Sequence, residues 1–529
     1  PTPDTTDSPD QDGGEIHQAP RHAALRHDGT GQHEEGDREH RHLADAAGQL
    51  LHHGCHRQVN PERSDQRGGH GLGAVGAQFP VADAILQHSR ERIPVADAKA
   101  QPLGLDRRVD RLSGGQRAQV ALAWVLLSGF GALPFVFSGL IPNYVQAFFE
   151  SVSGFTTTGS TVLTSFRHLP HGVVFWRSFT HWIGGMGVLV LTLALLPQLT
   201  GRTAHLVRAE SPGPSLSKIV PKMGDSAKIL YCIYFVLTVI EFAALMIAGM
   251  NPYDAAIHAL GTAGTGGFSN YGESIGAFQS PAIDIIITVF MVLFGVNFAM
   301  YFYMLTGHWR DVAHSEELKW FLGIFAVATV IITLNILPQY GTAGNALRYA
   351  SFQVASIMST TGYATADYNL WPIAAKMLIF VLMFFGACAG STAGGMKICR
   401  IAMLWKQGMR SVRHNFQPRK VQSVRFEGKG VEDNLLRETA SFAFVYVAMV
   451  LLGAFLLSLE GKYDVSTNLA SALTCVSNVG PGMGATGPAG NFAGYGPFAK
   501  LVMCVLMLAG RLELFPILAL FHPAIWRKQ

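Results

Sequence analysis

Eight charge-poor apolar runs set the pattern of the chain: residues 120 to 141, 178 to 199, 229 to 249, 285 to 307, 320 to 337, 373 to 395, 440 to 459 and 497 to 522. About 20 apolar residues coiled as a helix match the hydrocarbon thickness of a bilayer, so the pattern predicts eight membrane spans. Four shorter, semi-polar stretches lie between paired runs, at 143 to 157, 252 to 262, 346 to 359 and 466 to 478. Each predicts a helix too short to cross, one that enters the membrane and turns back. Such a turn is tolerated only where its backbone lines a cavity or is buried in protein.

Every short helix runs into a glycine segment: SVSGFTTTGST (151 to 161), GTAGTGGFSN (261 to 270), ASIMSTTGYAT (355 to 365) and CVSNVGPGMG (475 to 484). Aligned on Gly159, Gly267, Gly362 and Gly480, the copies are 108, 95 and 118 residues apart, the spacing of a tandem array of whole units. One such segment is no more than a glycine-rich turn between helices. Four at the same place in each unit predict a ring in which backbone carbonyls replace the water around a dehydrated monovalent cation. The C-terminal ends of the short helices would add partial negative charge at its centre. The expected fold is an all-α membrane protein of four tandem pore repeats around one central pore. Each repeat comprises a membrane helix, a re-entrant pore helix, a filter loop and a second membrane helix. The repeats fall at 119–200, 226–307, 318–400 and 433–529, with a basic loop at 401–432. The candidate filter residues are Thr157, Thr158, Gly159 and Ser160; Thr265, Gly266, Gly267 and Phe268; Thr360, Thr361, Gly362 and Tyr363; and Asn478, Val479, Gly480 and Pro481. They would act mostly through backbone carbonyls, with side chains packed behind, and their differences predict a ring of low symmetry.

These four segments, with GACAGSTAGGMK (386 to 397) and GRLELF (510 to 515), resemble the Trk, Ktr and HKT superfamily of potassium uptake proteins, most closely its bacterial TrkH type. HWIGGMGVL (181 to 189) and SPGP (211 to 214) also match and are read as structural. The resemblance covers residues 119 to 529. It implies potassium, a transported ion rather than a cofactor, moving through the filter in a bacterial inner membrane. It further implies a homodimer and a cytoplasmic regulatory subunit of the TrkA type that binds nucleotide. Coupling to protons, channel-like flow and sodium coupling of the Ktr kind all stay open.

The same resemblance makes residues 386 to 397 an intramembrane loop that obstructs the pore below the filter, with Gly390, Ser391, Thr392, Gly394 and Gly395 in it and Lys397 at its end. Small residues also permit close helix packing in membranes, which is the competing reading. Arg511, inside the last apolar run, would project into the pore as an electrostatic barrier; an ion pair with another helix is the alternative. Arg177, His181, Glu241 and Asn297 are other polar groups in apolar runs and receive no role from the sequence.

Composition changes the picture in three places. A mean hydropathy of +0.25 with 14% charged residues sets the chain apart from soluble proteins, and a net charge of +4 gives no support to nucleic-acid binding. Six cysteines form no CxxC pair and suggest neither disulfide nor metal. Residues 1–118 are atypical: they hold 11 of the 20 histidines, one lysine (Lys99) and one aromatic (Phe79), and are read as disordered or out of frame. TrkH-like proteins would begin with two further membrane helices, for which this segment offers no candidate. LSGGQRAQVALA (112 to 123) imitates an ABC-transporter signature. ATP-driven transport would also need a GxxxxGK[ST] loop, and none occurs in the chain.

Nine Lys or Arg against one acid, Glu427, lie between Lys397 and Lys429, which places this loop in the cytoplasm together with 202 to 222 and Arg527 and Lys528. The glycine segments then face outward. Glu273 and Asp367 in the outer loops could draw cations toward them. The chain is read as a transporter and not as an enzyme.

Overall fold

The computed structural model describes residues 114–166, 169–187, 223–420 and 422–520. The readings placed on 1–113, on 202–222, on 211–214 and on Arg527 and Lys528 lie outside them.

Repeat one contains α1 (Gly114–Gly131), the short α2 (Leu133–Phe137), the pore helix α3 (Tyr144–Phe155) and α4 (His171–Gly185). In repeat two, α5 (Met223–Ile247) leads to the pore helix α6 (Pro252–Ala263), then α7 (Pro281–Phe294) and α8 (Phe298–Leu305). A short α9 (Trp309–His314) connects to repeat three, formed by α10 (Glu316–Tyr340), the pore helix α11 (Ala343–Met358), α12 (Ile373–Leu382) and α13 (Ile398–Phe416). A two-stranded hairpin, β1 (Arg425–Phe426) with β2 (Lys429–Gly430), precedes repeat four. That repeat has α14 (Asp433–Ser458), the pore helix α15 (Val465–Ser477), α16 (Pro497–Arg511) and α17 (Phe515–Leu520).

The pore helices are 12, 12, 16 and 13 residues long, short of a span. Three start at polar caps: Asn143 accepts from Val145 and Gln146 N–H, Asn251 from Asp254 and Thr342 from Asn345. Many of their buried polar residues are small, Ser151, Ser153, Thr262, Ser356, Ser471, Thr474 and Ser477 among them, which lets helices approach closely.

Each pore helix packs on the first long helix of its own repeat. Three of them also meet the neighbouring repeat: α4 packs on α6, α7 on α11 and α16 on α3, which joins repeat one to two, two to three and four to one. Large apolar side chains such as Phe235, Val239, Val330, Leu334, Phe444 and Leu451 stand outward on α5, α10 and α14, as a hydrocarbon solvent requires.

Four helical stretches among the described residues are long and apolar enough to cross a membrane: 118–137, 227–247, Glu316–Tyr340 and Asp433–Ser458. Three of the eight expected runs are interrupted instead. The run at 285 to 307 bends by 91° between α7 and α8. The run at 373 to 395 is helical only to Leu382, and that at 497 to 522 breaks after Arg511, where Glu513 and Leu514 take φ of 58° and 66°. Hydropathy counts side chains. The breaks are allowed because other segments supply hydrogen-bond partners for the freed backbone. The run at 178 to 199 is helical to Gly185, and its part beyond 187 lies outside the described residues.

At the far end of α14, Glu460 accepts N–H bonds from Gly496 at 2.7 Å and Ala499 at 3.0 Å, capping α16. Burial raises the pKa of this carboxyl, but these N–H groups and nearby Lys462 outweigh it and hold the carboxyl below its ordinary value. A depressed folded pKa contributes stability above the unfolded value of about 4.3, and the contribution is lost as pH falls through the folded value. Glu460→Gln should therefore lower the melting temperature at neutral pH. The deficit should shrink in acid; an equal deficit at all pH values would contradict the cap.

Candidate functional site: four glycine turns and the loop beneath them

Each pore helix ends in the same way. Thr157, Thr265, Thr360 and Asn478 have φ of 56°, 53°, 56° and 55°. The following N–H reaches back five residues in every copy: Thr158 to Ser153 O (2.8 Å), Gly266 to Gly261 O (2.9 Å), Thr361 to Ser356 O (2.8 Å) and Val479 to Thr474 O (3.0 Å). This is the left-handed helix termination that glycine or asparagine usually provides. Threonine is β-branched and disfavoured there, so three of them at matched positions mark a backbone imposed by its surroundings.

Two residues on, Gly159, Gly267, Gly362 and Gly480 have φ of 80°, 72°, 81° and 104°. A Cβ on Gly159 would lie 2.0 Å from Gly266 O, one on Gly267 2.0 Å from Thr361 O, one on Gly362 2.1 Å from Val479 O and one on Gly480 2.6 Å from Thr158 O. The contacts run from repeat one to two, two to three, three to four and four back to one. The four turns thus form a closed ring, and only glycine fits where each backbone meets the next. All four glycines line one cavity of about 180 Å³.

The side chains of Phe268, Tyr363 and Val479 are buried behind this ring, and Ser160 Oγ donates to Gly480 O at 3.1 Å. Symmetry is broken at the fourth repeat. There Asn478 replaces threonine and donates to Thr158 Oγ1 and to Met507 O, both at 2.9 Å.

Behind the ring, Glu150 escaped sequence reasoning and supplies the partner of Arg177, which the sequence left without a role. Arg177 Nε donates to Glu150 Oε1 at 2.6 Å, with both side chains almost wholly buried. Arg177 Nη1 donates to Ser269 O at 2.9 Å, and its guanidinium lies 3.4 Å over the Phe268 ring. Glu150 in turn accepts from Val162 N–H and Thr161 Oγ1, each at 2.9 Å. One ion pair therefore holds the segments that leave the first and second turns. His181 stacks on the other side of the same network, 4.1 Å from Phe268 between ring centroids. The available signal was one acid and one arginine, each alone in an apolar stretch, which a membrane protein keeps only when they are partnered. In repeat three, Tyr363 OH lies 3.2 Å from His258 O and 3.3 Å from Phe268 O, and Ser356 Oγ donates to Tyr363 O at 2.6 Å.

Residues 383–397 run beneath the ring as a loop, so the packed-helix reading of this stretch does not hold. Gly386 N–H bonds Met396 O at 2.9 Å, which closes the loop at its neck. Cys388 N–H bonds Gly295 O (3.1 Å) and Gly390 O accepts from Phe298 N–H (3.0 Å), tying it to the break between α7 and α8. Asn297, at that break, packs on Gly390 and caps α8. Ser391 Oγ donates to Cys388 O, and Thr392 Oγ1 to Phe294 O at 3.3 Å. Gly394 N–H donates to Thr360 Oγ1 at 2.7 Å, and a Cβ on Gly394 would lie 2.7 Å from that of Asn478. Gly390 and Gly395 have φ of 72° and 66°. Lys397 is buried and its ammonium donates back to Ala393 O.

Arg511 joins these parts. Its Nη1 donates to Thr157 Oγ1 at 3.1 Å and to Thr392 O at 2.9 Å, and its Nη2 donates to Gly185 O at 2.6 Å and to Gly184 O. Glu513 pairs with Arg400 at 2.6 Å. Farther out, Asp367 accepts from Asn369 N–H in a local turn. A ring of backbone with a cation-repelling guanidinium and a loop below it is an arrangement that can select and stop a cation. Among the described residues no cluster of His, Cys, Asp or Glu could hold a metal ion.

A family model described as TrkH, cation transport protein, matches residues 111–528. The Trk system potassium uptake protein TrkH of Salmonella typhimurium is 39% identical over 419 residues, covering 77% of this chain and 85% of that protein. TrkH of Halomonas elongata is 38% identical over 421 residues, with the same two coverages. The crystal structure of the potassium transporter TrkH from Vibrio parahaemolyticus matches with a TM-score of 0.69 at 32% identity, over 79% of this chain and 87% of that one. With its ring of four glycine turns, its loop and this span of similarity, the chain belongs to the TrkH family of cation transport proteins.

Proposed function

We propose that this protein takes up potassium through the four glycine turns. The supporting observation is the ring itself: four backbones of matched conformation meet carbonyl to glycine around one axis. The carbonyls of residues 157–160, 265–268, 360–363 and 478–481 replace the ion's water, and the pore-helix C-termini favour its charge. Relatives bearing the name of a potassium uptake protein support the choice of ion. Growth of a potassium-uptake-deficient bacterium at low potassium tests the reading. Failure of correctly inserted protein to restore growth, with no potassium flux in proteoliposomes, would sink it.

In this proposal the loop at 386–397 and Arg511 form the gate. The loop lies under the turns of repeats three and four, and Arg511 bridges it to the turn of repeat one. Deleting 390–396 should raise potassium flux, and Arg511→Gln should raise it about tenfold, the effect of removing roughly 1.4 kcal/mol of barrier. Unchanged flux in both variants would remove the gate. The protein would sit in the bacterial inner membrane with the turns outward and the basic segment 397–429 in the cytoplasm. A homodimer with a TrkA-type nucleotide-binding subunit completes the proposed assembly. Flux that follows an imposed proton gradient would indicate symport; indifference to it would indicate channel-like uptake.

A further inference from the structure

The hairpin between α13 and α14 has an unusual tip. Glu427 and Gly428 connect the paired Phe426 and Lys429 and have φ of 50° and 72°. A tight hairpin needs positive φ at both positions, which Asn, Asp or Gly supply with least strain. Glutamate is a poor choice there, and an observed strain of this kind calls for a reason. It is also the sole acid among nine basic residues from Lys397 to Lys429.

Its carboxylate supplies that reason. Glu427 Oε1 accepts from Ser315 Oγ and from Glu317 N–H, each at 2.9 Å, at the start of α10. Unpaired N–H groups and the helix dipole favour an anion at that point. Glu317 then extends the connection: its own Oε1 accepts from Ala389 N–H at 2.7 Å, inside the intramembrane loop. Two hydrogen bonds in series, meeting at Glu317, thus lead from the hairpin tip to the loop under the ring. Glu316 and Lys406 fasten the hairpin from the side, through Glu427 N–H to Glu316 Oε2 at 3.2 Å, Lys406 to Glu316, and Lys406 Nζ to Arg425 O at 2.7 Å. Ser315 and Glu317 are buried whereas the tip is exposed, so it is the part of this chain of contacts that a group in solution can reach.

We infer that Glu427 is a positioning residue for the gate: its carboxylate, seated on the first turn of α10, holds Glu317 where Glu317 keeps the loop closed. Withdrawing the tip frees the loop, so a regulatory partner need engage only this exposed hairpin to open the pore. The inference rests on the reading of 386–397 as the obstruction.

The test uses the full chain in proteoliposomes, with Cys388 kept as a reporter on the loop, Cys55, Cys232, Cys475 and Cys504 replaced by Ala, and Cys399, a hydrogen-bond partner of Glu317, replaced by Ser. Cys388 is fully buried, so its modification by a water-soluble thiol reagent reads release of the loop. Glu427→Gln keeps an acceptor but loses the charge favoured at the start of α10, and should raise potassium flux about threefold. It should speed Cys388 modification by a similar factor and leave the potassium-to-sodium ratio unchanged. Glu317→Gln should do the same, and the double variant should add nothing to it. Ser315→Ala removes the donor to Glu427 together with the cap on Leu318 N–H, and should move both readouts in the same direction. Parent-like flux and labelling in Glu427→Gln, while deletion of 390–396 still raises flux, would overturn the inference and leave the gate standing. Parent-like flux in the deletion as well would overturn the gate reading and this inference with it.

Discussion

Gly267→Ser and Gly362→Ser are expected to cut the preference for potassium over sodium at least about tenfold, or roughly 1.4 kcal/mol. The added Cβ would stand 2.0 Å from Thr361 O in the first and 2.1 Å from Val479 O in the second. Both oxygens belong to backbone fixed by a helix termination, so the ring must spread rather than repack. A spread ring no longer matches the radius of potassium, and sodium passes with its water. Gly341→Ser supplies the control: Gly341 has φ of 70°, a similar backbone strain, but nothing lies within 4 Å of its added Cβ. Ratios measured by competitive uptake should fall for the first two and stay with the parent for the third. An unchanged ratio in all three would remove these turns from ion selection.

The second large effect concerns the ion pair behind the ring. Arg177→Met leaves Glu150 buried and uncompensated, a situation that costs about 3–5 kcal/mol. The melting temperature and the amount of folded protein should both fall sharply. Arg177→Met combined with Glu150→Leu removes both charges, and apolar replacement of a buried pair is often neutral. The double variant should regain most of the stability. It should not regain selectivity, because Ser269 O, Val162 N–H and the Phe268 ring lose the groups that fix them. Thermal unfolding and ion competition read the two quantities separately. Full recovery of both would mean that the pair balances charge without shaping the ring.

Much of this architecture was legible in the residues, for identifiable reasons. Four glycines at matched places after short semi-polar helices announced four repeats, because each turn needs a residue without Cβ where it meets the next. The expected starts at 143, 252 and 346 fall within a few residues of the observed caps Asn143, Asn251 and Thr342. Polar contacts between repeats were not legible. Glu150 and Arg177 are 27 residues apart and Glu427 is 110 residues from Glu317, and no local pattern ties such partners together.

The sequence by itself determined that the chain is a membrane protein with four pore units and a glycine-rich loop, since hydropathy and backbone tolerance are local properties written in consecutive residues. Tertiary structure alone decided where the long apolar runs break and which way the ring closes. It also decided that Arg511 spans three segments at once. These are matters of which distant backbone group finds a partner away from water, and a one-dimensional pattern holds no record of that distance.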